Sequence, residues 1–351
     1  MISLSAYGWN DKLNQLKQVS VFKHLFHGRV SIVHRTCYEV VSENGLFQCE
    51  LTGNMMFGKS EFELPCTGDW VIFQSFDEYK GVIVDMLPRE RTLYRRKSGT
   101  VADKQVMASY VDKAFMVQSL DDNFNVRRVE RFMVQILEEN INPVLVLNKA
   151  DLDFDRQKTE ASIKHIISQI PVFFTSILHP ETIHSLQKSI TEGETVVFVG
   201  SSGVGKSSLI NALCEKSLLS VSEISLSTGK GRHTSTRREM VLMNDCGVLI
   251  DTPGIREFGL TAGNSGSLAE MLDISDFAQS CRFADCTHTN EPGCAVVEAV
   301  NNGLLERKLL ESYHKLQREA WHFSTSAHEK RKKEKSFAGL IDEVKKRKGI
   351  S

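Results

Sequence analysis

Gly200-Ser201-Ser202-Gly203-Val204-Gly205-Lys206-Ser207 is the stretch on which the reading of this chain turns. It follows the apolar run Val196-Val197-Phe198-Val199 and precedes Ser208-Leu209-Ile210-Asn211-Ala212-Leu213, a helical pattern. Strand, glycine-rich turn and helix in that order are the context a phosphate-binding P-loop needs. Glycine lets the backbone wrap around an anion with its N–H groups turned inward. The helix N-terminus adds favourable partial charge. Gly200 to Ser208 are therefore the expected phosphate cradle. Lys206 is placed to reach the β- and γ-phosphates, and Ser207 to ligate magnesium.

Upstream, Asn148-Lys149-Ala150-Asp151 follows the apolar strand pattern Pro143-Val144-Leu145-Val146-Leu147. Ligands of open α/β sheets bind at the carboxyl ends of strands. The Asp151 carboxylate can accept from guanine N1–H and its 2-amino group, donors that adenine lacks. Sites that read a base in this way reject the wrong one strongly. Asn148 is expected at the other polar edge of the base, with the Lys149 stem over the ring. Thr175-Ser176, after the strand pattern Val172-Phe173-Phe174, is expected to support the base through the backbone.

Downstream, Gly247-Val248-Leu249-Ile250 leads into Asp251-Thr252-Pro253-Gly254. Asp251 suits a water-mediated magnesium contact and the Gly254 N–H the γ-phosphate. Between lies Gly229-Lys230-Gly231-Arg232-His233-Thr234-Ser235-Thr236, read as a first switch loop with Thr234 on magnesium. Ile255 follows Gly254, where other GTPases often carry a water-orienting glutamine. His233 is the candidate for that task. The order is base motif, P-loop, first switch, DTPG, a circular permutation of the usual GTPase order.

The flanks are of different character. Residues 1–24 read as a helical arm with Leu13, Leu16, Val19 and Phe22 on one face. Residues 25–90 hold short strand patterns at 29–33, 46–51, 70–73 and 82–84, which suggests a small barrel, an OB-fold or an SH3-like one. Residues 91–112 are a basic connector; with Arg89 and Tyr94 the stretch 89–97 is a candidate RNA contact. Residues 113–262 alternate strand and helix, with helices over 126–140 and 156–169, the pattern of a parallel α/β sheet. Residues 263–351 are helical and end in the basic runs Lys330-Arg331-Lys332-Lys333 and Lys345-Lys346-Arg347-Lys348. A formal net charge of -1 gives no general attraction to phosphate, so nucleic-acid contact would rest on local patches. The first residues lack a secretion-signal pattern, and no apolar run approaches the roughly 20 residues a membrane-spanning helix requires. The expected location is cytoplasmic, with no membrane partner.

Of eight cysteines, five (37, 49, 66, 214 and 246) are scattered and read as inert buried thiols. The other three fall in Cys281-x4-Cys286-x-His288-x5-Cys294. Three thiols and an imidazole make a closed tetrahedral zinc set, structural rather than catalytic.

The motif order NKAD, GSSGVGKS, GRHTST, DTPG, the barrel pattern ahead of it and the cysteine cluster with Glu291-Pro292-Gly293-Cys294 together resemble the bacterial ribosome small subunit-dependent GTPase A family. The likeness runs from about residue 28 to 325. It implies an OB-fold, a circularly permuted P-loop GTPase domain and a C-terminal helical zinc-binding domain. It also implies GTP hydrolysis in late maturation of the small ribosomal subunit, with 16S rRNA and GTP or GDP as partners and release on hydrolysis. Two positions depart from the family pattern. Thr52-Gly53-Asn54 lacks the basic residue usual before the glycine, and Ser235 replaces threonine. A monomer is expected. A competing reading is a GTP-dependent regulatory switch that binds a protein partner through the barrel and zinc domain.

Overall fold

The computed structural model describes residues 1–58, 60, 62–96, 104–214, 238–243, 246–251, 272 and 274–324. They fall into two compact bodies, one reaching to Asp251 and one holding the segment from Leu272 onward.

The first body starts with a single turn, Leu4–Tyr7, and helix α1 (Asp11–Val19). The Asn10 side chain caps α1 by accepting from the Leu13 N–H. The apolar face expected of this arm is narrower than its sequence suggests. Leu13 is buried, but Val19, at the helix end, is 82% exposed, and Phe22 lies past that end.

Strands β1 (Phe26–Val33), β2 (Tyr38–Ser42), β3 (Gly45–Leu51), β4 (Trp70–Asp77) and β5 (Lys80–Met86) follow, with helix α2 (Gly53–Gly58) between β3 and β4. β1 pairs antiparallel with β2 and β4, β2 with β3, and β4 with β5, while β3 and β5 pair in parallel. The ring therefore closes in the order 1-2-3-5-4-1, an OB-fold, and the SH3-like alternative falls away. Alternation along β3 turns Phe47 and Cys49 inward, where they meet Val30, Val40, Phe73 and Ile83.

The stretch expected to be a connector forms a hairpin, β6 (Leu93–Arg96) with β7 (Lys104–Ala108). Two cations ahead of it, Arg89 and Arg91, are engaged within the protein. Arg89 donates to both oxygens of fully buried Asp69, at 3.0 and 2.7 Å, and Arg91 pairs with Asp112 at 3.1 Å. Tyr94 stacks on Phe62 at 5.4 Å.

Strands β8 (Lys113–Ser119), β9 (Asn142–Asn148), β10 (Val172–Thr175) and β11 (Thr195–Val199) are parallel. β13 (Val248–Asp251) is parallel to β11, and β12 (Glu239–Leu242) runs antiparallel beside β13. The central strands are buried along almost their whole length and mostly apolar, because both sheet faces are covered. Helix α3 (Val126–Glu138) buries Val129, Phe132, Met133 and Ile136, while Leu137 remains 37% exposed. The helix expected over 156–169 is divided into α4 (Arg156–Ser162) and α5 (Lys164–Ile167) at fully buried Ile163, whose backbone leaves the helical region. Helices α6 (Pro180–Lys188) and α7 (Lys206–Leu213) complete this part.

One pairing was not legible in advance. Ile32 of β1 sits opposite Glu239 of β12, so barrel and α/β sheet run on as eleven strands among the described residues. Arg29, only 1% exposed, fastens the same junction. It donates to Gly68 O at 2.9 Å, to Thr195 Oγ1 at 2.8 Å, and to the Tyr7 carbonyl of the arm. A cleft of about 300 Å³ opens beside it, lined by Trp9, Trp70, Arg91, Asp112 and Glu194 among others. Burial lowers the Arg29 pKa to about 10, with Asp112 opposing.

The second body contains α8 (Ser275–Ala278), α9 (Ala295–Asn301) and α10 (Arg307–Ser324) around buried Val296, Ala299, Leu305, Tyr313 and Leu316. Among the described residues no helix is long and apolar enough to cross a membrane.

Candidate functional site

Parallel pairing brings the ends of β8, β9, β10 and β11 to one edge of the sheet, and the motif residues gather there. Gly200 leaves β11 at φ 154°, and a Cβ on it would stand 2.4 Å from Val117 O of β8. Gly205, at φ 92°, opens α7; a Cβ there would meet Asn148 Nδ2 at 2.3 Å. Both glycines are therefore fixed by contact as well as by backbone conformation. Lys206 Nζ donates to the carbonyls of Gly200 and Ser201 at 2.7 and 2.6 Å, which orients the ammonium across the loop. Ser207 and Ser208 lie in the first turn of α7, behind Ser202, Gly203 and buried Val204.

Asn148 is 3% exposed and links the base motif to the P-loop. Its Nδ2 donates to Val204 O at 2.9 Å, and its Oδ1 accepts from Thr175 Oγ1 at 3.1 Å. One amide hydrogen is used in this way, and a second belongs to the same nitrogen. Ser176 Oγ donates to Asp151 Oδ1, and the Ala150 N–H donates to Thr175 O at 3.0 Å. The Thr175-Ser176 pair thus holds the base motif with its side chains as well as its backbone. The Asp151 carboxylate is exposed, and the Ser176 hydrogen bond keeps its pKa below the ordinary value.

Lys149 takes a left-handed backbone at φ 62°. Its ammonium pairs with Asp121 Oδ2 at 2.8 Å, which fixes the course of the stem. Burial alone would raise the Asp121 pKa; hydrogen bonds from Lys149 and Ser119 outweigh it and bring the net value below the ordinary one. Asp121 belongs to the turn between β8 and α3, for which sequence reading assigned no role. Asp251 ends β13, opposite Glu239 of β12. His233, Thr234 and Gly254 lie outside the described residues, as do Ser235, Ile255 and the basic runs at 330–348.

In the second body, the ligand atoms of Cys281, Cys286, His288 and Cys294 all lie within 4.8 Å of one another. The Cys281 and Cys294 sulfurs are 3.9 Å apart, and His288 Nδ1 is 3.6 and 3.5 Å from them. Ligands of a tetrahedral zinc, at about 2.3 Å for sulfur and 2.0–2.1 Å for nitrogen, stand about 3.8 Å apart for two sulfurs and about 3.6 Å for sulfur and nitrogen. The cluster therefore fits a four-coordinate metal. Its loop is braced by Glu291, which accepts from the N–H groups of Thr287, Thr289 and Asn290 at 3.0, 2.9 and 3.1 Å. His288 has φ 59°, and Tyr313 of α10 packs on its ring at 5.8 Å.

Comparison with known proteins decides the family. A family model described as RsgA GTPase matches residues 86–261. The chain is 69% identical, over 99% of its length and 98% of the other's, to a Bacteroides thetaiotaomicron protein named small ribosomal subunit biogenesis GTPase RsgA 1. The chain belongs to the RsgA GTPase family. A Methanosarcina acetivorans RsgA is 38% identical over 88% of this chain and 83% of its own. The crystal structure of YjeQ from Thermotoga maritima superposes with a TM-score of 0.64 at 25% identity, covering 84% of this chain and 98% of that one. YloQ, described as a circularly permuted GTPase, gives 0.63 at 24% identity, covering 86% and 98%. The chain is thus a GTP hydrolase with a permuted GTPase domain, an N-terminal barrel and a C-terminal cysteine–histidine cluster that could hold a metal.

Proposed function

We propose that this chain acts in late maturation of the small ribosomal subunit, engaging the subunit and its 16S rRNA with GTP bound and leaving on hydrolysis. One observation carries the reading: 69% identity along almost the whole chain to a protein named for small ribosomal subunit biogenesis. It works as a monomer in the cytoplasm.

In this reading Asp151 selects guanine through N1–H and the 2-amino group. Ser176 supports this role by holding the carboxylate, and Thr175 by holding Asn148, whose second amide hydrogen faces the base. The Lys149 stem covers the ring, with Asp121 as its anchor. Lys206 and the backbone from Gly200 to Ser208 bind the phosphates; magnesium, held by Ser207, Thr234 and, through water, Asp251, neutralises charge on the β- and γ-oxygens. Gly254 donates to the γ-phosphate and His233 orients the attacking water, two roles read from motif order alone. Zinc is the metal of the Cys281, Cys286, His288 and Cys294 set, because thiolate-rich tetrahedral sites with no open position favour it.

The test is co-sedimentation with small subunits in sucrose gradients, comparing a non-hydrolysable GTP analogue with GDP. Association with the analogue and release with GDP is the expected result. Equal binding in both states would defeat the release step, and no binding in either would defeat the ribosomal reading.

A further inference from the structure

Helix α3 carries Arg127 and Arg128 in its first turn and no acidic residue there. Cations at a helix N-terminus face its positive end and are locally unfavourable. A residue that breaks a local rule marks a place where something else is being satisfied. Arg128 Nη1 donates to Ser201 Oγ at 3.0 Å, to Asn123 O at 3.1 Å and to Gln118 Oε1 at 3.4 Å. No carboxylate pairs with it among the described residues.

Its partners are rigid. Asn123 lies in a turn tied by Asp121, which accepts from Ser119 Oγ at 2.6 Å and from the Asn123 N–H at 3.0 Å. Gln118 is fully buried, and its Nε2 makes no hydrogen bond. Asn125 caps α3 by accepting from the Arg128 N–H at 3.2 Å, which fixes where the side chain starts. Ser201 is itself the second residue of the P-loop, and its carbonyl accepts from Lys206 at 2.6 Å. Two cations from separate elements therefore converge on one P-loop residue. Like charges brought together repel, and an anion between or beside them reverses the sign.

We propose that Arg128 is a phosphate-binding residue of the nucleotide site that lies outside the P-loop motif. Held against Ser201, it adds a second positive charge beside Lys206 and strengthens binding of guanosine di- and triphosphate. The proposal rests on the GTP-site reading above. It gives the segment from the end of β8 into the first turn of α3 a double task, since Asp121 of that segment already holds Lys149 of the base motif.

The experiment measures affinity of the full chain for GDP and for a non-hydrolysable GTP analogue at several salt concentrations, with Arg128→Gln and Arg128→Lys beside the wild type. Removing a charge-assisted contact should weaken both nucleotides about tenfold in Arg128→Gln. Arg128→Lys keeps the charge and should stay within about threefold of wild type. Wild-type affinity should also fall more steeply with salt than that of Arg128→Gln. Thermal unfolding of the nucleotide-free Gln variant should not be lowered, because a cation has left a helix N-terminus. An Arg128→Gln protein with unchanged affinity and salt slope overturns the proposal. So does an Arg128→Lys variant as weak as Arg128→Gln, since the arginine would then be a tether for the serine and not a charge for the phosphates. A wild type that binds neither nucleotide would instead defeat the guanine-nucleotide reading itself.

Discussion

The candidate nucleotide site draws its side chains from the turn after β8, from 148–151, from 175–176 and from 200–207, while the candidate metal cluster draws all four side chains from the single run 281–294. The first is assembled by parallel strands whose ends share one sheet edge. Asn148 meets Val204 across 56 residues of sequence, and Arg128 meets Ser201 across 73. The second is a local cluster in the loop between α8 and α9, braced by Glu291. A site of the first kind depends on long-range packing and survives the loss of any one bound group. A site of the second kind depends on its metal, because structural zinc contributes folding energy directly.

The largest effect that could break this contrast is metal removal. Structural zinc supplies about 10–16 kcal/mol in small domains. A strong chelator, or Cys286→Ala, should abolish slow hydrogen exchange across 275–324 and leave GDP affinity intact. Elemental analysis should give one zinc per chain. If GDP binding disappeared together with the metal, the two sites would not be independent in the way their construction implies.

Next is Gly205→Ala. The added methyl would have to occupy space held by the Asn148 amide, in a left-handed conformation costing about 1–3 kcal/mol for a non-glycine residue. With the Asn148 link to Val204 also lost, GDP affinity should fall on the order of 100-fold, while metal content stays unchanged. Titration with a fluorescent guanine nucleotide measures it. An alanine variant that binds normally would mean that the link between base motif and P-loop is dispensable.

These two sites were unequally legible in the sequence. The metal set could be read from spacing alone, since its ligands are neighbours. The P-loop and base motif could also be read, because strand, turn and residue type coincide. The side-chain roles of Thr175, Ser176, Asp121 and Arg128 could not, since each acts on a residue brought near only by sheet register. The same reason hid the pairing of Ile32 with Glu239. The partners of the basic stretch at 89–97 were hidden for the same reason. Charge is visible in sequence, but the Asp69 that consumes Arg89 lies 20 residues away on the barrel. The helix expected over 156–169 breaks in its middle, where tertiary burial of Ile163 outweighs periodicity, and the apolar face assigned to the arm fails at its end, where the helix stops at Val19.

A smaller effect probes what holds the first body together. Arg29→Met would leave the carbonyls of Gly68 and Tyr7 and the Thr195 hydroxyl without their buried donor. A loss of about 3 kcal/mol or more is expected in chemical denaturation. Unfolding followed by intrinsic fluorescence would report it, since Trp9 and Trp70 line the adjacent cleft. A loss below about 1 kcal/mol would show that strand pairing alone carries the junction.

The smallest expected effect is the acid response of the arm. His27 stacks on Trp9 at 4.1 Å, and its Nδ1 lies 3.0 Å from Lys17 Nζ. Burial, reinforced by the Lys17 charge, lowers its pKa from 6.5 to about 4. Above pH 6.5 the ring is neutral in both folded and unfolded chains and contributes no pH dependence. Between 6.5 and about 4 the unfolded chain takes up a proton that the folded one refuses, so stability falls as pH falls. The full slope for one such group is about 1.4 kcal/mol per pH unit, and about half of that is expected for a ring that remains part-exposed. His27→Gln should flatten this part of the stability profile relative to wild type, and the difference between the two isolates the histidine from every other titrating group. Metal loss in the same pH range does not confuse the reading, because both proteins carry the same cluster. Parallel profiles from pH 7 to 4 would mean that the arm admits water at His27, and that the interface between arm and barrel is looser than the Trp9 stack implies.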